Sequence, residues 1–221
     1  MTDRLTEELV AMRAARELRP GDYCNLGIGL PQHCASCLPE GVRVQTENGA
    51  IGYGPLIGLD NLDQVDIDMV DAGAMFFTPA PGMAFFDMLT SFAMMHSGRL
   101  VSILGGLQVS EKGDLAVHSL GDADEYPQIG GSMDLAWGSR RLIVAMTHTT
   151  KDGKPKIVRG LTLPLTARAC VDLIITDVAV IEVTGNRLVL SEVAAGWTPA
   201  QVQAITEARL LMAPQVREIE F

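Results

Sequence analysis

Hydrophobic positions recur at three- and four-residue intervals from Leu5 to Arg19, at Leu5, Leu9, Met12, Ala15 and Leu18. That period predicts an amphipathic helix, which Pro20-Gly21 ends. A short apolar run at Tyr23–Leu26 predicts a strand, Gly27-Ile28-Gly29 turns out of it, and Pro31 opens a brief helix through Cys37. Val42–Thr46 predicts a second strand that ends at Glu47-Asn48-Gly49. Ala50 to Asp68 is rich in Gly, Pro and Asp and reads as a long loop, a length usually reserved for function or mobility. Met69–Asp71 follows as a short strand, Ala84–His96 as a helix with a Phe/Met/Leu face, and Leu100–Leu104 as a buried strand.

Beyond Leu104 the pattern changes to short apolar runs at Leu107–Ser110, Leu115–Val117, Leu142–Met146, Val171–Thr176, Val178–Val183 and Arg187–Leu190. The Thr184-Gly185-Asn186 turn makes the last two a hairpin. Thr198, Pro199 and Gln201 form a helix-start signature for a closing helix from Pro199 to Leu210. Helices alternate with strands early and strands run together later. The expected fold is therefore α/β: a single domain over residues 1–221 with a mostly parallel or mixed central sheet flanked by helices.

Composition narrows the classes. Hydrophobic residues are 48% and charged residues 20%, too apolar a balance for a disordered chain. The longest apolar stretches are far shorter than a membrane span, and Arg99 and Glu182 interrupt them. Seventeen basic against 27 acidic residues leave a net charge of −10, which repels phosphate backbones and argues against a nucleic-acid partner. A small anionic ligand stays allowed, because local backbone dipoles bind anions against the global charge. The opening Met1–Glu8 segment is polar and acidic, which argues against a secretory leader. A cytoplasmic protein with four reduced cysteines is the expectation.

Most candidate chemistry dissolves on inspection. Gly27-Ile28-Gly29 sits where a dinucleotide fingerprint would, but Gln32 stands at the third glycine position, so a tight turn exposing N–H groups fits better. Cys34 and Cys37 have no second pair to complete a zinc site, and no metal is expected; two small structural residues are the better reading than a redox dithiol. His33, His96, His118 and His148 show no metal-ligand spacing, and no nucleophile elbow accompanies them. Glu47 differs in kind. It is a carboxylate at the end of a predicted buried strand, at the mouth of a glycine-rich segment, where open α/β sheets bind ligands. Residue chemistry alone names that carboxylate but no reaction.

The segment Val44-Gln45-Thr46-Glu47-Asn48-Gly49-Ala50-Ile51-Gly52-Tyr53-Gly54-Pro55 closely resembles the Ser-Glu-Asn-Gly signature of family I CoA-transferases. Further matches follow in the family's order: Asn25–Pro31, Ser91-Phe92 with Met94, Leu104–Ser110 followed by Gly113–Ala116, Gly130–Leu135, Thr162–Thr166 and Ile174–Asp177. The chain resembles the B (beta) subunit of a 3-oxoacid CoA-transferase. The resemblance implies that Glu47 is the nucleophile, that Gly105 donates to an oxyanion with Gly27 a weaker choice, and that Asn48 and Gly49 hold the turn that aims Glu47. It also implies polar contacts from Asn25 and Gln108.

The implied reaction moves CoA from an acyl-CoA such as succinyl-CoA to a 3-oxoacid of the acetoacetate or 3-oxoadipate type, through a glutamyl-CoA thioester. No cofactor is implied; CoA and acyl-CoA enter as substrates. A separate A-type CoA-transferase subunit is implied as partner, in a heterodimer or heterotetramer. Departures from the common pattern bear on the acyl group. Thr46 stands for Ser, Ala50 for a larger aliphatic residue, and Asp71-Ala72-Gly73-Ala74 for Asn-Ala-Gly-Lys. Met95-His96-Ser97-Gly98-Arg99 stands for an Arg-Gly-Gly-His-like stretch and Val117-His118 for Asn-Trp. Two other readings are a thioester hydrolase or ring-opening relative using the same pocket, and a non-catalytic ligand-sensing module of the same fold.

Overall fold

A computed structural model describes residues 3–121, 128–185 and 187–221. The elements in chain order are α1 (Glu7–Ala15), β1 (Tyr23–Leu26), a 3-10 helix (Leu30–Ser36), β2 (Arg43–Thr46), β3 (Ala50–Ile51), a second 3-10 helix (Leu59–Gln64), β4 (Ala84–Phe85), α2 (Met88–Met95) and β5 (Leu100–Leu104). There follow β6 (Gln108–Ser110), β7 (Leu115–Ala116), α3 (Ser132–Gly138), β8 (Arg141–Met146), β9 (Ile157–Val158), β10 (Leu173–Thr176), β11 (Ala179–Thr184), β12 (Arg187–Val193), α4 (Pro199–Ala204) and β13 (Leu210–Glu218).

The main sheet runs β13-β12-β11-β10-β8-β5-β1-β2-β3-β4. Its centre is parallel: β2, β1, β5, β8 and β10 all point the same way. Antiparallel hairpins extend both flanks, β2-β3-β4 on one side and β10-β11-β12 on the other, and β13 returns parallel to β12. The α/β reading with a mixed central sheet holds. A small second sheet, β7-β6-β9, lies apart from it.

Apolar residues cover both faces of the central strands, as a parallel sheet requires. Along β5, Leu100 and Leu104 point into one core, while Val101 and Ile103 point into the other. β8 alternates likewise, with Leu142, Val144 and Met146 opposite Ile143 and Ala145. The first core packs α3 and α4, and the second packs α1 through Val10, Ala11 and Ala14.

The structure corrects several boundaries. In α1 the buried face runs through Val10, Ala11, Ala14 and Ala15, and Met12 is 40% exposed. Arg13 is buried there because Glu192 and Glu17 both bind its guanidinium, at 2.8 and 2.7 Å. Ala84–His96 is not one helix: Ala84–Phe85 pairs with β3, and Asp87 then caps α2 by accepting the Thr90 N–H. Met69–Asp71 forms only an isolated bridge, Val70 to Phe76. The closing helix starts as expected, with the Thr198–Gln201 capping box, but stops at Ala204. The hairpin of β11 and β12 forms with Thr184 opposite Arg187, and Asn186 in its turn lies outside the described residues.

Candidate active site

Three neighbouring parallel strands end side by side. β1 runs into Gly27, β2 into Glu47 and β5 into Gly105. The chain places β2 on one side of β1 and β5 on the other, which opens a crevice at the carboxyl ends of the strands. A cavity of about 440 Å³ occupies it, lined by Asn25, Gly27, Glu47, Asp71, Gly105 and Gly131 among others.

The Glu47 turn is built from local hydrogen bonds. Gly49 N–H returns to the Thr46 carbonyl at 3.0 Å and closes the β2–β3 hairpin. Gly49 has φ +111°, and a Cβ there would overlap the Phe86 carbonyl oxygen, so only glycine fits. The Thr46 hydroxyl donates to Asn48 Oδ1 at 2.9 Å and accepts the Ala72 N–H at 2.8 Å. Asn48 Nδ2 reaches the Val70 carbonyl at 2.8 Å. Asn48 and Gly49 thus shape the turn and dock it against the 70–72 segment, and neither lines the cavity.

Beneath the turn lies a buried polar network. Asn25 Nδ2 donates to Gln45 Oε1 at 2.7 Å, and Gln45 Nε2 donates to Ser91 Oγ at 2.8 Å and to the Thr46 carbonyl at 3.0 Å. Each partner is committed, so the network holds the end of β2 rigid beside the cavity.

Glu47 is half-buried, and its Oε2 accepts the Gly131 N–H at 3.0 Å. Burial pushes the Glu47 carboxyl above its ordinary range, the Gly131 N–H pulls the other way, and the Asp134 carboxylate adds to the rise. The result is a partly dehydrated carboxylate more basic than a solvent-exposed glutamate.

The two candidate oxyanion glycines differ. The Gly27 N–H is spent on the Ile103 carbonyl at 2.8 Å, whereas the Gly105 N–H meets no acceptor among the described residues. A Cβ on Gly27 would sit 3.2 Å from Leu104 Cα, so this glycine serves close packing of β1 on β5. A Cβ on Gly105 would meet nothing within 4 Å, which leaves its backbone open to a ligand. Gln108 lies on β6, outside the cavity lining; its side-chain oxygen accepts the Thr162 and Leu163 N–H groups at 2.9 and 3.2 Å.

Gly131, Asp71 and Tyr53 also line the cavity, and residue chemistry alone does not single them out. The Gly130-Gly131-Ser132 run ahead of a short apolar segment is a usable signal for Gly131, since such a run exposes N–H donors at a helix start. Among the departures from the common pattern, Thr46, Val117 and Asp71–Gly73 line the cavity, while Arg99 sits before β5 at the opposite end of the sheet. His96 pairs with Asp134 at 2.7 Å and His118 with the Thr166 hydroxyl at 2.7 Å. Cys34 is buried, donates to the Ala11 carbonyl, and burial pushes its thiol up to about 12. Among the described residues no group of three His, Cys, Asp or Glu side chains is arranged to hold a metal.

Comparison with known proteins assigns the chain to a family. Residues 8–204 match the coenzyme A transferase family. The chain is 42% identical over 210 residues to the beta subunit of acetate CoA-transferase from Escherichia coli K12, covering 94% of both chains. It is 40% identical over 215 residues to the B subunit of 3-oxoadipate CoA-transferase from Acinetobacter baylyi, covering 96% of this chain and 98% of that one. With the B subunit of succinyl-CoA:3-ketoacid coenzyme A transferase from Helicobacter pylori the identity is 41% over 206 residues, covering 91% and 96%. Among solved structures, an acyl-CoA transferase from E. coli O157:H7 in a thioester complex with CoA superposes with TM-score 0.73 at 21% identity, over 100% of this chain and 44% of that one. The decarboxylase AibA/AibB superposes with TM-score 0.67 at 15% identity, over 99% and 90%, so the fold alone does not fix the reaction.

The fold is α/β, with a carboxylate at the crevice where the strand order reverses. The chain belongs to the coenzyme A transferase family, and its curated relatives are B or beta subunits. No helix among the described residues is long and apolar enough to cross a membrane.

Proposed function

We propose that the chain is the Glu47-bearing half of a 3-oxoacid CoA-transferase, paired with an A-type subunit in the cytoplasm, and that it moves CoA between an acyl-CoA and a short carboxylic acid. The observation that carries this reading is the Glu47 carboxylate at the end of β2, gripped by the N–H of Gly131 and facing a cavity beside Gly105, whose N–H meets no acceptor among the described residues.

In this reading a Glu47 carboxylate oxygen attacks the thioester carbonyl of the acyl-CoA, the C–S bond breaks, and CoA leaves as thiolate with an acyl-glutamyl anhydride behind it. The thiolate then attacks Glu47 Cδ, the donor acid leaves as carboxylate, and a glutamyl-CoA thioester remains. The acceptor carboxylate repeats the two steps in reverse, so Glu47 is regenerated and no water is consumed. CoA and acyl-CoA enter as substrates; no resident cofactor takes part. Gly105 supports the oxyanion on the acyl carbonyl, where one donor is worth about 3–4 kcal/mol. Gly131 fixes Oε2 and leaves Oε1 free for attack. The raised basicity of Glu47 favours its nucleophilicity.

The test is isotope exchange in the complex with the A-type subunit. Labelled free acid passes into acyl-CoA if CoA is transferred. Release of free CoA without exchange contradicts transfer and supports the hydrolase reading instead.

A further inference from the structure

The cavity is electrostatically one-sided. Its described lining contains no lysine, arginine or histidine, and its formal charges are the carboxylates of Glu47 and Asp71. Asp71 is fixed there by its turn: Oδ1 accepts the Gly73 N–H at 2.8 Å and the Met75 N–H at 2.9 Å. Those two bonds hold the carboxyl group in the wall. The rest of the wall is neutral, with Val117, Ile129 and Leu135 offering apolar surface and Tyr53 and Gln128 offering uncharged polar groups. Groups able to carry positive charge are engaged elsewhere: His118, next to the lining residue Val117, is paired with the Thr166 hydroxyl at 2.7 Å. His96 is held by Asp134, and Arg43 and Arg99 line a separate groove at the amino ends of the strands.

A substrate must already bring one carboxylate, or the thioester made from it, to Glu47. A second carboxylate on the acyl tail would enter a partly dehydrated pocket holding two like charges and no counter-charge among the described residues. Such juxtaposition is costly at short range and low effective dielectric. We infer that this pocket selects acyl groups with uncharged tails, monocarboxylic acids rather than their dicarboxylic counterparts, and that Asp71 is the residue that discriminates between them. A neutral 3-oxo group stays compatible, because Tyr53 and Gln128 can hydrogen-bond an oxygen without needing it charged. The inference rests on the CoA-transferase reading and narrows its substrate class.

The test uses the complex with the A-type subunit. Two donors of equal chain length, butyryl-CoA and succinyl-CoA, are compared with labelled acetate as acceptor. Butyryl-CoA should be preferred by roughly 30-fold or more in kcat/KM, given like-charge repulsion in a partly buried site. Asp71→Asn keeps an acceptor for both turn N–H groups and removes the charge. It should cut the preference by about tenfold, through a gain for succinyl-CoA. Asp71→Ser, which also keeps a turn acceptor, repeats that arm should the first variant misfold. Succinyl-CoA used as well as butyryl-CoA by the wild-type complex would overturn the inference while leaving the transferase reading intact, and would mean that the partner supplies a cation. A preference unchanged in folded Asp71 variants would overturn the role given to Asp71. Absence of transfer from both donors, with no CoA bound to Glu47, would take down the transferase reading itself.

Discussion

The Gly131 N–H and Glu47 Oε2 meet at 3.0 Å across 84 residues of chain, joining the start of α3 to the end of β2. Gly131 has an ordinary backbone geometry, φ −87° and ψ 11°, so the glycine is not there for a turn. A Cβ at this position would overlap Glu47 Oε2, which makes the missing side chain a requirement of the carboxylate. Gly131→Ala is therefore a clean probe. It should fold, as judged by circular dichroism, and lose about a hundredfold in kcat with little change in KM, because Glu47 is displaced from its attack position. Unchanged kcat in the folded variant would mean that this contact does not position the nucleophile.

Gly105→Val tests the oxyanion donor. Space for a side chain exists there, so the variant should retain its fold. The valine would crowd the N–H and its ligand. Loss of one donor should cost about 3 kcal/mol in the barrier, roughly a hundredfold in kcat, with acyl-CoA binding less affected. Gly27→Ala is the comparison: its N–H is already spent within the sheet, so its effect should fall on thermal stability first.

The pH profile should carry the signature of the Glu47 environment. The reactive form is the carboxylate, and its folded pKa is raised by burial and by Asp134. As pH falls through that raised value the group protonates and activity is lost, so the acid limb of kcat/KM should lie above the ordinary glutamate range. Asp134→Asn removes one cause of the rise and should move the limb toward lower pH. A limb that stays in place would show that Asp134 does not set it.

His148 predicts a separate acid sensitivity of the fold. Its ring is fully buried, with Nδ1 2.9 Å from the Thr176 hydroxyl and Nε2 2.8 Å from that of Thr206. The Thr206 hydroxyl donates to the Val202 carbonyl at 2.7 Å, so it accepts from the His148 Nε2–H. Burial lowers its pKa to about 4. The unfolded chain takes up a proton near the ordinary histidine value while the fold refuses it. Stability should therefore decline from about pH 6.5 down to about pH 4, by up to about 3 kcal/mol. Urea midpoints across that range should show the decline in the native chain and a flatter curve in His148→Gln.

Much of the site is legible in sequence because its parts are local. The strands ending at Leu26, Thr46 and Leu104 are short segments cut off by glycine or by Glu47, and their ends are where the cavity opens. What escapes depends on contacts distant in sequence or on side chains that replace backbone bonds. Gly131 acts through an N–H on a residue 84 positions away, and no pattern around it names that acceptor. The helix after Thr198 reads as longer than it is because Ala208–Leu210 looks helical. In the fold the Gln203 side chain bonds the Thr206 and Ala208 carbonyls and the Leu210 N–H, which ends the helix and launches β13. β13 itself carries Pro214 and Arg217, residues that a strand tolerates at a sheet edge and that mask it in sequence. The Ala84–Phe85 strand is hidden by its neighbour α2, since only pairing with β3 separates them.

Covalent bonding of Glu47 to CoA is the central claim. The most direct measurement is mass spectrometry of the complex, mixed with acyl-CoA in the absence of acceptor and quenched in acid. The expected result is a mass increase equal to CoA less one water, mapped by proteolysis to the peptide carrying Glu47. It should be absent from Glu47→Gln, which should also lose transfer by several orders of magnitude. Full turnover by freshly purified, undeamidated Glu47→Gln, or a CoA adduct on a different residue, would contradict it.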